Sequence, residues 1–351
     1  MEKFNDLAKI LEVGRKVVIT THARPDADAL GSSLALFHYF NKLNHSVNVI
    51  TPTDYASFLK WMPGNDDVIV YDEQKKETAR SLFLEADVIF CLDFSALDRI
   101  GDLGPMVTES NAFKVLIDHH LEPEPFPDFK LWDPDASSAS ELVYNFLNLF
   151  NDLDKIDVPV GECLYAGIMT DTGSFRFPST SRRVHLILAD LIGKGVDNAR
   201  IHRLIYDDNT ESRLRLLGFS LSEKLTVSQK YHAAFLVLSA EELERFGYQE
   251  GDTEGIVNYA LSIRGMVFAG LFMEKEGVIK ISFRSRGVFS VNEFARMHFN
   301  GGGHKNAAGG TCKLAPSEVA DHFMSLLEQH KEDLDKCHSK LWPSKTTSSA
   351  S

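Results

Sequence analysis

Apolar positions along the first half of the chain follow two alternating patterns. Short, β-branched-rich runs at 16–21, 46–51, 67–71, 87–93 and 113–118 predict strands. Longer stretches with apolar residues every three or four positions, at 29–43, 77–85 and 139–151, predict helices between or after several of them. Such alternation predicts an α/β fold with a mostly parallel sheet and helices on its faces. Gly161 to Thr170 reads as a further buried helix or strand leading to Asp171, and the helical run Ser181 to Ile192 ends at Gly193-Lys194-Gly195, a helix-stopping sequence. Residues 197–225 are charged, helical in pattern and free of proline, which marks a helical connector. A second pattern starts near Tyr231, with strands at 231–239, 266–273 and 277–284 and helices at 240–246, 253–263, 290–298 and 316–334. The expected layout is a catalytic-size α/β domain at 1–195, a connector at 196–228, a smaller α/β domain at 229–340 and a disordered Ser/Thr/Lys-rich tail at 341–351.

Composition narrows this picture. A chain of 351 residues is long for one core and comfortable for two, and 44% apolar with 25% charged residues is ordinary for a globular protein. The net charge of −13 opposes non-specific binding along duplex nucleic acid. The charge is uneven, however. Residues 255–313 hold eight Lys/Arg against three acids, a local +5 that leaves −18 elsewhere. A basic surface in an acidic protein suits a small anionic ligand better than a long polyanion. Cys91, Cys163, Cys312 and Cys337 form no CxxC pair, which predicts reduced thiols and a cytoplasmic setting. The N-terminal residues form an amphipathic helical pattern without the apolar centre of a signal peptide, and no apolar run is long enough to span a membrane.

Candidate chemistry gathers where predicted strands end. The first strand runs into THARPDADALGS, residues 21–32, which places His22, Asp26 and Asp28 within seven positions. One of these aspartates could cap the following helix, but a helix needs one cap, not an imidazole and two carboxylates. Carboxylates packed this closely repel, and a divalent cation removes the repulsion. The fourth strand ends in Asp93, which alone would read as a turn former. The fifth ends in Asp118-His119-His120, where two adjacent histidines serve no capping or packing need. Asp171 follows one more apolar segment and alone would read as a helix cap. The set is rich in carboxylates and free of thiolates, which favours Mn²⁺ or Mg²⁺ over zinc. Four aspartates and two histidines exceed the needs of one ion. Two ions roughly 3.5–4 Å apart, bridged by a carboxylate, fit that set and would act on a phosphoester. In the second domain, Gly301-Gly302-Gly303-His304-Lys305-Asn306 reads as a glycine loop suited to an anion, followed by an apolar helix-like run. Strand alternation puts Ser282, Arg284 and Arg286 on one face and Ser285 on the other.

The motifs THARPDADALGS, CLDFS, LIDHH and GIMTDTGSFRF resemble the four motifs of the DHH phosphoesterase superfamily, and GGGHKNAAGG resembles the signature of its DHHA1 domain. The resemblance spans roughly residues 10 to 330 and is strongest to the short oligoribonuclease and pAp-phosphatase (NrnA-like) branch, not the longer RecJ nucleases. It implies that His22 and Asp26 hold a first ion, that Asp28, His119 and Asp171 hold a second, and that Asp93 bridges them. It further implies that His120 contacts the scissile phosphate or protonates the leaving oxygen, with Asp118 orienting a histidine from behind. Arg284, Ser285, Gly302, Gly303 and His304, with Arg264 and Lys305, would bind the substrate's terminal phosphate and base.

The expected activity is therefore two-metal hydrolysis of short oligoribonucleotides (nanoRNA) to 5′-mononucleotides, extending to pAp. The ions are expected to be Mn²⁺, with Mg²⁺ as the substitute, and analogy extends to a homodimer. Hydrolysis of c-di-AMP or pApA is the near alternative. Pyrophosphatase or exopolyphosphatase activity is disfavoured by the glycine-rich signature. A non-catalytic nucleotide sensor is the alternative of another class, and the complete ligand set argues against it.

Overall fold

The computed structural model describes residues 2–343, and the chain folds as two compact units that divide at Asp208 and Asn209. In the first unit, α1 (Glu2–Leu11) precedes β1 (Lys16–Thr21), α2 (Ala27–Lys42), β2 (Ser46–Thr51), β3 (Val68–Val70), α3 (Lys76–Glu85) and β4 (Val88–Leu92). Then follow α4 (Leu103–Glu109), β5 (Phe113–Asp118), β6 (Phe129–Trp132), α5 (Ala139–Leu149), α6 (Val158–Asp171), α7 (Arg182–Gly193) and α8 (Asn198–Tyr206). The six strands form one sheet in the order β3-β2-β1-β4-β5-β6, and every pairing is parallel.

The reason for this sheet is visible in its composition. β4 is VIFCL and is buried along its whole length, as a parallel strand covered on both faces must be. One core lies under α2, α5 and α6, where Phe40, Phe90 and Phe146 meet with ring centroids 4.9 and 5.7 Å apart along the chain of contacts. The other lies under α3 and α4, around Phe83, Phe94 and Leu116. α2 is almost wholly buried, and Gly31 sets how closely it meets α6: a Cβ there would come within 2.5 Å of the Cys163 carbonyl oxygen.

The second unit begins with α9 (Glu211–Phe219) and a π-helical turn at Ser220–Lys224. It continues through β7 (Leu225–Ser228), β8 (Ala233–Leu238), α10 (Ala240–Arg245), α11 (Ile256–Ser262), β9 (Phe268–Lys275), β10 (Val278–Ser285) and α12 (Val291–His298). β11 (Gly302–His304), β12 (Ala307–Cys312), α13 (Pro316–Gln329) and α14 (Lys331–Leu341) complete it. Its sheet order is β11-β12-β10-β9-β8-β7, mixed in direction, with β8 and β9 parallel and the remaining pairs antiparallel. The core is a phenylalanine cluster, Phe268, Phe272, Phe283, Phe294 and Phe323, in which Phe283 stacks on Phe323 at 5.9 Å. The single helix read over 316–334 is two helices that meet at His330. The apolar helix-like run after the glycines is strand β12, paired with both β10 and β11.

The segment read as a connector, 196–228, contains α8, α9, the π-helical turn and β7. Of the segment read as a disordered tail, Leu341 closes α14, and positions beyond 343 lie outside the described residues. The four cysteines are free thiols, and among the described residues no helix is long and apolar enough to cross a membrane.

Candidate metal centre

The C-terminal edge of the parallel sheet, where such folds bind ligands, collects the polar groups of the first unit. β1 delivers His22, whose Nδ1–H donates to the Ala23 carbonyl at 3.0 Å, which leaves Nε2 at 3.4 Å from Asp93 Oδ2. Asp26 caps α2: its Oδ1 accepts from the N–H groups of Asp28 and Ala29, both at 3.0 Å. The capping alternative and the ligand reading are thus compatible, because one oxygen caps and the other remains. Asp28 lies in the first turn of α2, fully buried, and its two oxygens accept the Ala139 and Ser140 N–H groups at 2.6 and 2.9 Å. The N-terminus of α5 is therefore aimed at Asp28, and its partial positive charge favours the ionised form.

Asp93 follows β4 in a left-handed backbone conformation, φ 63°, with its N–H bonded to the Ile117 carbonyl at 3.1 Å. Aspartate is among the few side chains that adopt this region readily, so the turn holds the carboxylate at the sheet edge at little cost. His119 donates Nδ1–H to the Ala136 carbonyl at 3.2 Å, and its Nε2 lies 3.3 Å from Asp93, 3.4 Å from Asp171 and 3.9 Å from Asp28. His120 turns its Nδ1 to Asp118 Oδ1 at 2.8 Å, so Nδ1–H donates to the buried carboxylate and Nε2 is left without that tie.

Asp171 is the last residue of α6 and not the first of a helix. A carboxylate at a helix C-terminus meets the negative end of the dipole, so its placement calls for a positive partner. A Cβ at Gly167, one turn earlier, would reach within 2.0 Å of Ser140 Oγ and 2.7 Å of Asp28 Oδ1, so only glycine lets α6 pass this close. The residues sequence reasoning missed act largely through their backbones. Ala136, Ala139 and Ser140 orient His119 and Asp28 through peptide groups, which carry no residue-type signature. The one available signal was Ser138, which caps α5 by accepting the Glu141 N–H at 2.9 Å.

Electrostatically the cluster is frustrated without a cation. Burial, reinforced by the Asp93 charge, pushes the Asp28 carboxyl up to about 7. Burial and Asp28 likewise raise Asp171. Burial also opposes the charge on Asp93, but His119 and His22 outweigh it and hold this carboxyl well below the usual range. Burial opposes protonation of His22, yet Asp93 and Asp26 push it up to about 9. His119 is raised in the same way, against burial, by Asp93 and Asp171.

The residues fit divalent ions. Asp93 Oδ1 and Asp118 Oδ2 are buried and accept no hydrogen bond among the described residues. His22, Asp26 and Asp93 offer ligand atoms within 4.8 Å of one another, as do Asp28, His119 and Asp171. Asp93 touches both groups.

A pH dependence follows from these shifts. His22 titrates near 6.5 when unfolded and near 9 when folded, so its stabilisation is complete below the first value and lost through the second. Asp28, raised to about 7, adds a cost that grows from about 4 to about 7 and stays constant above it, so His22 sets the slope at higher pH. Both signs agree, so the melting temperature of the metal-free protein should fall as pH rises from 6.5 to about 9. Cations replace the histidine protons, so the increase in melting temperature on adding Mn²⁺ should grow over the same interval. Thermal melts with chelator and with Mn²⁺ measure both, and a metal-induced increase that shrinks with pH contradicts this account.

The second unit holds the remaining sequence-singled residues. Arg284 and Ser285 end β10, with Arg284 Nη1 donating to the Phe283 carbonyl at 2.9 Å. Ser285 is buried: its hydroxyl donates to the Phe289 carbonyl at 2.7 Å and accepts from Asn306 Nδ2 at 2.8 Å, so it braces the neighbouring turn. Gly302, Gly303 and His304 form edge strand β11, and the Gly303 N–H donates to buried Asn292 Oδ1 at 3.0 Å. Exposed Lys305 sits in the β11–β12 turn, and Arg264 is exposed between α11 and β9.

Residues 16–168 match the DHH family N-terminal domain and residues 228–333 match the DHHA1 domain. The chain is 30% identical to the bifunctional oligoribonuclease and PAP phosphatase NrnA of Thermus thermophilus, covering 95% of each. It is 28% identical to the protein of the same name from Bacillus subtilis, over 92% of this chain and 97% of the relative. Its fold superimposes on the crystal structure of an exopolyphosphatase-related protein from Bacteroides fragilis with a TM-score of 0.91 and 42% identity, over 95% of this chain and 98% of that one. Two domain matches in order, a near full-length relative at 30% identity and a sheet edge built of His22, Asp26, Asp28, Asp93, His119 and Asp171 lead to one assignment: the chain belongs to the DHH phosphoesterase family, in its two-domain DHH–DHHA1 form.

Proposed function

We propose that this protein hydrolyses short oligoribonucleotides to 5′-mononucleotides with two divalent cations, and that it also converts pAp to AMP. The main support is the convergence of six ligand-type side chains with His120 beside them, in a chain similar over almost its full length to proteins named for oligoribonuclease and PAP phosphatase activity. His22 and Asp26 would hold one ion, Asp28, His119 and Asp171 the other, and Asp93 both. The carboxylate-rich donor set with two imidazoles favours Mn²⁺, with Mg²⁺ as the weaker substitute. Bound there, the cations supply an acidified water and offset negative charge on the phosphate.

The chain's own residues do the rest. Asp118 fixes the His120 ring by the 2.8 Å bond to Nδ1, which leaves Nε2 as the atom that would give a proton to the leaving 3′-oxygen. The carbonyls of Ala23 and Ala136 fix the tautomers of His22 and His119, and the α5 N-terminus fixes Asp28. In the second unit, Arg284, Gly302, Gly303 and His304, with Arg264 and Lys305, would bind the substrate's phosphate and base, while Ser285 holds Asn306 and the turn in shape. A cytoplasmic homodimer that acts on short RNA and small nucleotides, without long duplex partners, completes the reading.

The test is product identity. With Mn²⁺ and ApA in ¹⁸O-labelled water, the expected products are adenosine and 5′-AMP carrying the label in its phosphate. Label in the nucleoside, or a 3′-mononucleotide product, overturns attack on phosphorus with release of the 3′-oxygen.

A further inference from the structure

Two arginines flank the metal-type cluster without a part in it. Arg24 lies in the turn between His22 and Asp26, and Arg99 lies in the 3-10 turn Leu97–Ile100 that follows Asp93. The strands that lead to these turns, β1 and β4, are neighbours in the sheet. The turns themselves are tied together, because the Ala23 N–H donates to the Arg99 carbonyl at 2.8 Å. Arg24 is held in the left-handed region, φ 55°, with its N–H bonded to Thr53 Oγ1 at 2.6 Å. Glycine would adopt that backbone without strain, yet the position carries a long cation.

Both side chains are exposed, and neither guanidinium makes a hydrogen bond or ion pair among the described residues. Arg80 and Arg200, in the same unit, each bond a carboxylate at 3.1 and 2.7 Å. Charge explains what two unpartnered cations could do here. Asp26, Asp28, Asp93, Asp118 and Asp171 bring five negative charges to this edge when ionised, and two divalent cations offset four. The edge is then still not positive when a substrate with one charge per phosphate arrives. His120 follows β5, on one side of Asp93, whereas Arg24 follows β1 on the other side.

We propose that Arg24 and Arg99 form a subsite for a second phosphate of the substrate, the neighbour of the one being cut. This rests on the phosphoesterase reading above and adds to it a preference for chains with at least two phosphates. A guanidinium can grip a phosphate through two parallel N–H bonds, and charge-assisted bonds of this kind are strong enough to change affinity by about tenfold each.

The test compares ApA, which has only a scissile phosphate, with ApApA, which has a neighbour. In Arg24→Gly, which also relieves the left-handed backbone, and in Arg99→Ala, KM for ApApA should rise about tenfold. KM for ApA should change less than about twofold, and kcat for both should stay within about threefold. Arg24→Lys, which keeps the charge and loses the two-pronged grip, should fall between wild type and Arg24→Gly. Mn²⁺ affinity, read by calorimetry without substrate, should be unchanged in all three variants, and the salt dependence of ApApA binding should flatten by a slope of about 0.7 per arginine removed. Equal losses on ApA and ApApA, no loss on either, or a drop in Mn²⁺ affinity overturns the subsite while wild-type hydrolysis stands. If the wild type cleaves neither substrate with metal bound, the phosphoesterase reading fails and the subsite falls with it.

Discussion

Asp93→Asn should lower turnover of short RNA by about 10³-fold or more while the protein stays folded. Asp93 has φ 63°, and asparagine is among the few residues that occupy this region readily, so the turn survives. The side chain keeps its size and loses its charge. That charge is what lies 3.4 Å from His22 and 3.3 Å from His119, at the junction of the two ligand groups. On the proposed sharing of Asp93 by two cations, an amide oxygen would serve both poorly, so Mn²⁺ stoichiometry should fall from the proposed two per chain to one or none. A loss of 10³ corresponds to about 4 kcal/mol of transition-state stabilisation, which is large for one carboxylate and reasonable for one that would be shared by two ions as proposed. Steady-state kinetics, metal titration and a circular dichroism melt on the same preparation measure the three quantities. Retained turnover would remove Asp93 from the chemistry. A wild type that binds nucleotides without turning them over would instead bring forward the sensor alternative.

The second large effect is expected at a residue with no chemistry of its own. Gly167→Ala would place a methyl group 2.0 Å from Ser140 Oγ and 2.7 Å from Asp28 Oδ1. The serine hydroxyl is buried without a hydrogen bond and could rotate, but Ser140 Cβ is also only 2.9 Å away. Either α5 and α6 separate or Asp28 turns, and in both cases the Ala139 and Ser140 N–H bonds to Asp28 suffer. Overpacking of this kind costs about 1–3 kcal/mol, and disturbing the groups that orient a metal ligand lowers metal affinity by about 10–100-fold. Gly193→Ala is the matched control, because a Cβ there meets nothing among the described residues within 4 Å. Denaturant unfolding and Mn²⁺ titration of the two variants separate the effects. Wild-type metal affinity in Gly167→Ala would mean that Asp28 is not positioned as argued.

The particular residues explain what was legible beforehand. The parallel strands β1, β2, β4 and β5 could be read because strands buried on both faces need continuous apolar, β-branched runs. Their ends were then legible as a set, since His22, Asp93 and Asp118-His119-His120 each follow such a run directly. Asp171 was singled out, but its setting was not: apart from Glu162, Gly161 to Met169 is apolar or small, because α6 is buried on every side there, and such a run shows no clear helical period. The hairpin Gly302–Cys312 was misread for the opposite reason. Its glycines and alanines carry no strand signal, and the cause lies in packing, since a Cβ at Gly301 would lie 2.1 Å from the Gly309 carbonyl oxygen. Gly303 is similarly constrained, whereas nothing comes within 3.4 Å of a Cβ at Gly302, so the steric demand for glycine is weakest there. The grip of α5 on Asp28 and of Ala136 on His119 was invisible, because peptide groups make those bonds.

The most direct test of the central claim is a length series. Protein with Mn²⁺ is given end-labelled RNA from two to about twenty-four nucleotides, with pAp and c-di-AMP in parallel. The account predicts rapid loss of di- to pentanucleotides with release of 5′-mononucleotides, conversion of pAp to AMP, and slow or no loss of the longest RNA. Equal rates across all lengths, or turnover of c-di-AMP with the short oligomers untouched, would contradict it.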